Sequence, residues 1–318
     1  MTAANIKSEQ FWAYLQMMRP ANILTAWADI LVGYAASGAV VALSFPSAES
    51  WATPLIGGLN FSHGMAIAWL LLATTGLYGG GVVFNDLFDA DIDAVERPER
   101  PLPSGRASRR GAIGLGVALL VLAGVAAAQV SWVSAGLAGF VAIAALLYDA
   151  FSKHNAILGP VNMGLCRGAN LLLGVSVISA EVMDRWFLAL GSIAYIAAIT
   201  AISQGEVHGG KRQTGILSLV MLAAVLGGAL GLGFLPNYYL GNELPFIALF
   251  AGLVVPAFLR ATVNPQPDLI RAAVKSGILS LIVLDAAIAA GFTHWLYGLL
   301  VLSLLPISRK LAQIFAVT

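Results

Sequence analysis

"GMAIAWLLLATTGLYGGGVVF", residues 64–84, carries no charged side chain and matches the roughly 20 apolar residues that a helix needs to cross a bilayer. Comparable stretches recur near residues 22–45, 64–86, 110–129, 132–149, 157–179, 185–205, 214–235, 244–260, 272–291 and 294–308. Lipid offers no partners for backbone groups, and these runs are longer than the strands of a membrane barrel. We therefore predict an all-α fold, a polytopic transmembrane helical bundle, with residues 1–318 forming one domain.

The composition excludes a soluble globular domain. Hydrophobic residues fill 59% of the 318 positions and charged residues only 10%, whereas about a quarter of a soluble domain is charged. Residues 1–20 lack the pattern of a cleaved signal peptide and are predicted to form an interfacial helix. The single cysteine, Cys166, excludes an internal disulfide. No Cys/His cluster indicates zinc, and no basic stripe with interleaved aromatic residues indicates nucleic acid.

The basic residues predict the orientation of the bundle, because Lys and Arg collect in cytoplasmic loops. With ten spans, 15 of the 17 Lys and Arg residues fall on one side. They are Lys7, Arg19, Arg97, Arg100, Arg106, Arg109, Arg110, Lys153, Lys211, Arg212, Arg260, Arg271, Lys275, Arg309 and Lys310. We predict a multi-pass protein of the inner or plasma membrane whose termini and charged loops face the cytoplasm.

The segment that follows the first quoted run, "NDLFDADIDAVERPERPLPSG", concentrates charge. Asn85, Asp89 and Asp93 recur every four residues, so a helix continuing from the preceding span would place them on one face. Like charges at this spacing repel each other unless a cation lies between them. Mg²⁺ prefers carboxylate and amide oxygens and keeps waters or substrate phosphates as its other ligands. We predict a Mg²⁺–diphosphate site formed by Asn85, Asp86, Asp89 and Asp93 at the membrane surface.

Two other interpretations of this segment are a calcium loop and a solvated acidic loop. The alternating aspartates of residues 89–93 copy an EF-hand, but Ala94 and Arg100 stand where that loop needs glycine and glutamate. The prolines that follow favour a binding site, because they stop the helix and hold Arg97 and Arg100 on a stiff return segment. Arginines so placed can bind phosphate oxygens through two N–H groups.

The acidic segment and its Arg-Pro-Glu-Arg-Pro continuation resemble the first aspartate-rich signature of the UbiA superfamily of intramembrane prenyltransferases. Other similar stretches are "RPAN" at 19–22, "YDAFSK" at 148–153 and "GPVNMGLCRGANLLLG" at 159–174. The resemblance implies that Asp89, Asp93 and Lys153 are catalytic, with Mg²⁺ as the cofactor. We expect substrate contacts from Asn22, Arg97, Arg100, Tyr148, Lys153, Asn162, Arg167 and Asn170.

The resemblance implies transfer of an isoprenyl group from an isoprenyl diphosphate to an aromatic or lipid acceptor. Breaking the allylic carbon–oxygen bond leaves negative charge on the diphosphate, which metal ions and cations stabilise. A water-free bundle protects the resulting allylic cation. The expected partners are the isoprenyl diphosphate, a hydrophobic acceptor and the bilayer. Members of the superfamily commonly have nine spans, so we expect nine to ten here, with residues 294–318 as the extra C-terminal span.

The second aspartate motif of the superfamily, commonly Asp-x-x-x-Asp, is atypical in the stretch "ISQGEVHGGKRQTG". Glu206 replaces the first aspartate, and Gly210 occupies the position four residues later. In one interpretation Glu206 is catalytic and binds a second Mg²⁺, while Lys211 or Arg212 supplies countercharge. In another, His208 is an acid or base for the acceptor. In the third, the protein is a non-catalytic lipid-binding or transport accessory protein. The GEVHGG sequence also resembles an EboC-like branch of the superfamily.

Two aspartates fall within predicted spans, where ionisable groups are costly and usually functional. Asp29, in the first span, is expected either to contact the acceptor or to pair with a buried cation. Asp285, in the ninth span, is expected to form a hydrogen bond between helices.

Overall fold

The computed structural model describes residues 3–40, 61–153, 155 and 157–315. Every regular element within these residues is helical, which confirms the predicted all-α fold. The helices are α1 (Ala3–Met17), α2 (Pro20–Ala36), α3 (Phe61–Phe88), α4 (Ala90–Glu96), α5 (Arg109–Ala128), α6 (Trp132–Leu147), α7 (Leu158–Val175), α8 (Glu181–Arg185), α9 (Leu188–Ser203), α10 (Arg212–Gly231), α11 (Leu240–Val263), α12 (Pro267–Phe292), α13 (Trp295–Leu302) and α14 (Leu304–Ile314). A π-helical turn, Tyr148–Ser152, continues α6, and a 3-10 turn, Leu232–Phe234, continues α10.

Within the described residues, each apolar stretch predicted from the sequence overlaps a helix or a pair of helices. In the described part of the chain, seven segments are long and apolar enough to cross a membrane: Gly64–Phe88, Arg109–Ala128, Trp132–Ser152, Arg212–Phe234, Leu240–Val263, Pro267–Phe292 and Trp295–Ile314. α2, α7 and α9 are shorter or more polar, so nine to ten spans stay a prediction. Residues 41–45 of the first predicted span, and residues 1, 2 and 316–318, lie outside the described residues.

α2 and α7 border both of the larger apolar clusters of the bundle. One cluster is built mainly from α9 to α13, and the other from α3, α5 and α6. α2 contributes Val32 to the first cluster and Ile30 to the second, and α7 contributes Leu171 and Leu173 in the same way. Because both helices are apolar on opposite faces, they are buried between the two halves of the bundle.

Glycines allow α2 and α7 to approach to backbone contact. A Cβ atom added to Gly174 would overlap the carbonyl oxygen of Ile30, and one added to Gly33 would overlap that of Leu171. Small residues at such crossings are the usual means of close helix packing in membranes. The crossing fixes the positions of the polar residues that α2 and α7 present to the interior.

We expect Gly174→Ala to destabilise the protein by about 1–3 kcal/mol, the usual cost of overpacking a tight contact. The added methyl group would push α7 away from α2. Gly191→Ala on α9 is the matched control, because nothing lies within 4 Å of its added Cβ. Thermal unfolding in detergent should show a lower Tm for Gly174→Ala alone, and equal Tm values for the two variants would contradict the close crossing.

Candidate active site

The first acidic segment crosses the junction of α3 and α4. The helix predicted to continue through it bends instead at Asp89, which lies between Phe88 and Ala90 with φ −90° and ψ 0°. The Asp89 N–H donates to the Asn85 carbonyl at 3.0 Å, and the Asp93 N–H donates to the Asp89 carbonyl at 2.8 Å. These bonds keep the four-residue spacing across the bend. Asn85, Asp89 and Asp93 therefore line the same cavity.

Cations from two later segments pair with these carboxylates. Lys153, directly after the π turn, forms an ion pair with Asp89. Arg100 Nη1 donates to Asp93 Oδ2 at 2.7 Å. α4 ends at Glu96, and the proline-containing segment after it returns Arg100 to the helix it has just left, as the sequence predicted. Lys153, Arg97 and Arg100 all line the cavity.

Asp86 points to a different set of partners. Its Oδ1 atom lies 3.0 Å from Arg19 Nη2 and 3.6 Å from Arg100 Nη1. Arg19 joins α1 to α2 with a left-handed backbone (φ 47°), a conformation that is uncommon for a side-chain-bearing residue. Both arginines line the cavity, whereas Asp86 is not among the lining residues. Asp86 therefore lies behind the wall and orients two of its cations.

The cavity, about 630 Å³ in volume, extends from these charges into the bundle. Its charged lining residues are Arg19, Asp89, Asp93, Glu96, Arg97, Arg100, Asp149, Lys153, Arg167 and Glu206. Apolar side chains such as Leu77, Val141 and Ile199 line the interior. Thr74, another lining residue, lies about 16 Å along α3 from Asn85. The cavity thus joins a charged mouth to a deep and largely apolar interior.

Glu206 brings the atypical second motif to the mouth. It lies in the loop between α9 and α10 and lines the cavity. Burial raises the pKa of the Glu206 carboxyl above its ordinary value, and the nearby Arg97 and Arg271 guanidinium groups act in the opposite direction. Arg271 Nη1 also donates to the Glu206 backbone carbonyl at 3.1 Å. These interactions place Glu206 near Arg97 and Arg271 at the mouth.

Gly210, four residues after Glu206, lies in a tightly packed turn. Its N–H donates to the Pro265 carbonyl at 3.0 Å, and an added Cβ would lie 3.0 Å from Ile270 Cδ1. Gly205 is packed against Gly210 even more closely, since an added Cβ on Gly205 would lie 2.6 Å from Gly210 Cα. The turn therefore requires glycine at position 205, whereas a Cβ at position 210 would require a shift of the Ile270 side chain.

Several predicted site residues do not line the cavity. Asn162 Nδ2 donates to the Ala144 carbonyl at 3.1 Å and to Ser152 Oγ at 2.8 Å, so it holds the π turn in place. Asp29 is fully buried beneath the wall, in contact with Arg167. Three more predicted site residues, His208, Lys211 and Arg212, have exposed side chains that lie outside the cavity. Asn22, Tyr148, Arg167 and Asn170 do line it.

The sequence interpretation missed Asp149 as a site residue. Asp149 lines the mouth and accepts a hydrogen bond from Asn85 Nδ2 at 2.8 Å. It belongs to the π turn, which is closed by the Lys153 N–H donating to the Tyr148 carbonyl at 3.0 Å. π turns within α-helices occur frequently at functional sites. The signal in the sequence was the acid next to the predicted cavity tyrosine in "YDAFSK".

The donor atoms at the mouth suit a hard divalent cation that shares its ligands with a substrate. Among the described residues, no three His, Cys, Asp or Glu side chains are close enough to enclose a metal ion by themselves. Mg²⁺ is usually bound through one or two carboxylates together with waters and substrate phosphates. Asn85, Asp89 and Asp93 present such oxygens beside Lys153 and Arg100, so the residues fit Mg²⁺ bound together with a diphosphate.

Comparisons with known proteins agree with this geometry. A family model described as the UbiA prenyltransferase family matches residues 51–264. The digeranylgeranylglyceryl phosphate synthase of Methanothrix thermoacetophila is 32% identical over 226 residues, which cover 67% of this chain and 77% of that protein. The enzyme of the same name from Natronomonas pharaonis is 28% identical, covering 77% of this chain and 82% of its own.

Solved structures show the same fold. A UbiA homolog from Aeropyrum pernix K1 has a TM-score of 0.62 at 18% identity, covering 83% of this chain and 96% of that one. A UbiA homolog from Archaeoglobus fulgidus, bound to GPP and Mg²⁺, has a TM-score of 0.58 at 18% identity, covering 92% of this chain and 99% of that one.

Proposed function

Because this chain belongs to the UbiA prenyltransferase family, we propose that it transfers an isoprenyl group from an isoprenyl diphosphate to a hydrophobic acceptor. The observation that carries the proposal is the single cavity that joins a mouth of acids and cations to an apolar interior. An isoprenyl diphosphate has the same division, with a polyanionic head and an apolar tail. The head fits the mouth, and the tail fits the interior.

The charge of the mouth supports metal-dependent binding. Five acids line it (Asp89, Asp93, Glu96, Asp149 and Glu206), against four cations (Arg19, Arg97, Arg100 and Lys153). A mouth with one excess negative charge would repel a diphosphate, so the oxygens of Asn85, Asp89, Asp93 and Glu206 would hold Mg²⁺. When bound, Mg²⁺ supplies Lewis-acid stabilisation of the charge that develops on the leaving diphosphate. The similar A. fulgidus homolog binds GPP and Mg²⁺.

The chain's own residues would favour ionisation of the donor. Lys153, Arg97 and Arg100 are already fixed at the mouth by their acidic partners or by the return segment, so they can stabilise charge without reorganising. Tyr148 lines the cavity and is joined to Lys153 by the backbone hydrogen bond of the π turn. The apolar interior beneath it excludes water from the allylic cation until the acceptor captures it.

The relatives suggest a lipid acceptor. Two proteins named digeranylgeranylglyceryl phosphate synthase match most of this chain, which favours a glyceryl phosphate lipid over an aromatic acid. The test is to offer purified protein an isoprenyl diphosphate, Mg²⁺ and either acceptor, and to identify products by mass spectrometry. We expect a prenylated glyceryl lipid. Prenylation of the aromatic acid alone would contradict the lipid assignment, and prenylation of neither, with no diphosphate release, would contradict the enzyme assignment.

We also propose that the mouth of the cavity and both termini face the cytoplasm in the inner or plasma membrane. Fifteen of the 17 Lys and Arg residues fall on this side of the predicted topology, and the cations of the mouth are among them. A water-soluble diphosphate made in the cytoplasm would then reach the mouth directly.

Glu206→Gln tests whether the atypical second motif still supports catalysis. Loss of its charge at the mouth should lower the transfer rate at least about 10-fold, as loss of a group supporting a metal site does. Glu99→Gln, which removes an exposed carboxylate from the return segment, is the matched control. His208→Asn separates the two interpretations of this loop. A loss of rate in His208→Asn with full activity in Glu206→Gln would favour His208 as the acid or base.

A non-catalytic lipid-binding or transport protein is the second candidate function. The observation that favours it is Gly210, which leaves the second position of an Asp-x-x-x-Asp motif without a carboxylate. Such a protein would bind an isoprenyl diphosphate stoichiometrically with Mg²⁺. It would release no diphosphate with any acceptor, and diphosphate release above the level of an Asp89→Asn variant would exclude this function.

A further inference from the structure

Two carboxyl groups meet in the centre of the bundle, beneath the inner end of the cavity. Asp29 on α2 is fully buried, and Asp285 on α12 is 2% exposed. Their side chains lie within hydrogen-bonding reach of each other. Asp29, Asp285 and Arg167 together are called the buried triad below. Arg167 on α7 carries a positive charge close to both acids, and Tyr195 on α9 is a phenol near Asp285.

One oxygen of Asp29 accounts for its contacts with α7. Asp29 Oδ2 lies 2.7 Å from Arg167 Nε and accepts a hydrogen bond from Asn170 Nδ2 at 2.9 Å. Arg167 also donates through Nη2 to the Thr25 carbonyl, and Asn170 donates to the Ala26 carbonyl at 3.0 Å. α2 thus fixes the polar heads of both α7 residues.

The carboxyl oxygens of Asp29 and Asp285 that lack a partner indicate that the two groups share a proton. Among the described residues, Asp29 Oδ1 and Asp285 Oδ2 are buried and have no donor. Two ionised carboxylates cannot hydrogen-bond to each other, because neither carries a donor. Two carboxylates and one guanidinium would also leave an uncompensated negative charge in the bundle interior, which is strongly unfavourable. One proton held between the two carboxyls provides the missing donor and makes the buried triad neutral.

The buried triad is connected to the cavity through the residues that it holds. Arg167 and Asn170 both line the cavity, whereas Asp29 and Asp285 do not. Thr74, also a lining residue, donates to Asn170 Oδ1 at 2.6 Å. A guanidinium has five N–H donors, and only some of those of Arg167 are directed to α2. Because Arg167 lines the cavity, N–H groups that are not directed to α2 could bind oxygen atoms of a ligand there.

We propose that Asp285 is a positioning residue for the acceptor: as a carboxylic acid it donates a hydrogen bond to the Asp29 carboxylate, which holds Arg167 and Asn170 where they bind an oxygen-rich polar group of the acceptor. The proposal rests on the proposed transferase function. Asp29 is the ionised member because it is the acid in direct contact with the guanidinium. Asp285 acts through Asp29 and touches no substrate.

Three variants test this assignment by steady-state kinetics with acceptor and donor varied separately. Asp285→Asn keeps a donor of nearly the same shape and should behave like the wild type. Asp285→Leu removes the donor and should raise the KM for the acceptor about 10-fold or more, the size expected from losing a hydrogen bond to a charged group. Its KM for the isoprenyl diphosphate should be unchanged. Asp29→Asn should be more damaging than Asp285→Asn, because it leaves Arg167 without its carboxylate.

Infrared spectroscopy at neutral pH tests the shared proton without any turnover. The wild-type minus Asp285→Asn difference spectrum should contain a carboxylic-acid carbonyl band that shifts in D₂O. The wild-type minus Asp91→Asn control should contain carboxylate and asparagine amide bands but no carboxylic-acid band, because Asp91 is exposed. A difference spectrum for Asp285→Asn with carboxylate bands and no carboxylic-acid band would overturn the shared proton. Absence of transfer by the wild type would overturn the proposed function but not this infrared result.

Two results of the kinetic measurements would contradict the proposed role of Asp285. Equal loss of activity in Asp285→Asn and Asp285→Leu, or a rise in the KM for the isoprenyl diphosphate instead of the acceptor, would overturn the positioning role. Circular dichroism and thermal unfolding identify any variant that fails to fold. Should Asp29→Asn not fold, the comparison of the two Asp285 variants still decides the proposal.

Discussion

Asp89→Asn is expected to reduce Mg²⁺-dependent consumption of an isoprenyl diphosphate by about 10²–10³-fold, the size found when one preorganised electrostatic contact to developing charge is removed. Asp89 lies at the bend between α3 and α4, lines the mouth and is paired with Lys153. The amide that replaces it keeps the shape of the side chain but has one oxygen and no charge. Both metal binding and the orientation of Lys153 should therefore be lost.

Asp91→Asn is the matched control for this substitution. Asp91 lies two residues away in α4, carries the same charge, is exposed and does not line the cavity. The measurement is release of diphosphate at saturating Mg²⁺, with thermal unfolding to confirm that both variants fold. An equal loss of activity in the two variants would show that only the total charge of this segment matters, not the position of Asp89.

Lys153→Met should lower kcat/KM for the isoprenyl diphosphate by about 10²-fold, because it removes a fixed cation from the place where the leaving group gains charge. Methionine keeps an unbranched side chain of similar length, so the effect reports on charge. The Lys153 side chain is only 11% exposed, so little water would screen its interaction with a bound diphosphate. The change should appear for the donor and not for the acceptor.

Lys275→Met on α12 is the control for the loss of a lysine charge. Lys275 is exposed and lies outside the cavity lining. Kinetics with the donor varied should show wild-type values for this control. If both lysine variants lost activity to the same degree, long-range attraction of the anionic donor would explain the effect better than a contact within the mouth.

Apolar length and charge spacing predicted much of the fold and part of the site. Lipid excludes unpaired backbone groups, so apolar stretches had to be helical, and the helices coincide with them. The four-residue spacing of Asn85, Asp89 and Asp93 also placed three side chains in one cavity. The bend at Asp89 did not follow from the spacing, because hydrogen bonds on either side of it preserve the helical repeat.

Sequence could not decide on which side of the cavity wall a polar residue lies. Asp86 and Asn162 were expected to contact metal and substrate, but one orients arginines and the other holds the π turn. Asp149 was missed because its exposure to the mouth depends on a wide turn that normal helical periodicity does not predict. The pairing of Asp29 with Asp285 joins helices at opposite ends of the chain, so it needed the tertiary structure.

The most direct test is a structure of the protein with Mg²⁺ and an isoprenyl thiolodiphosphate, whose carbon–sulfur bond does not ionise. We expect diphosphate density at the mouth, between Asp89 and Asp93 on one side and Lys153 and Arg100 on the other. The isoprenyl chain should run from the mouth into the cavity, along apolar lining residues such as Leu77, Val141 and Ile199. Diphosphate density elsewhere on the protein, or a chain directed away from the bundle with the cavity unfilled, would contradict this expectation.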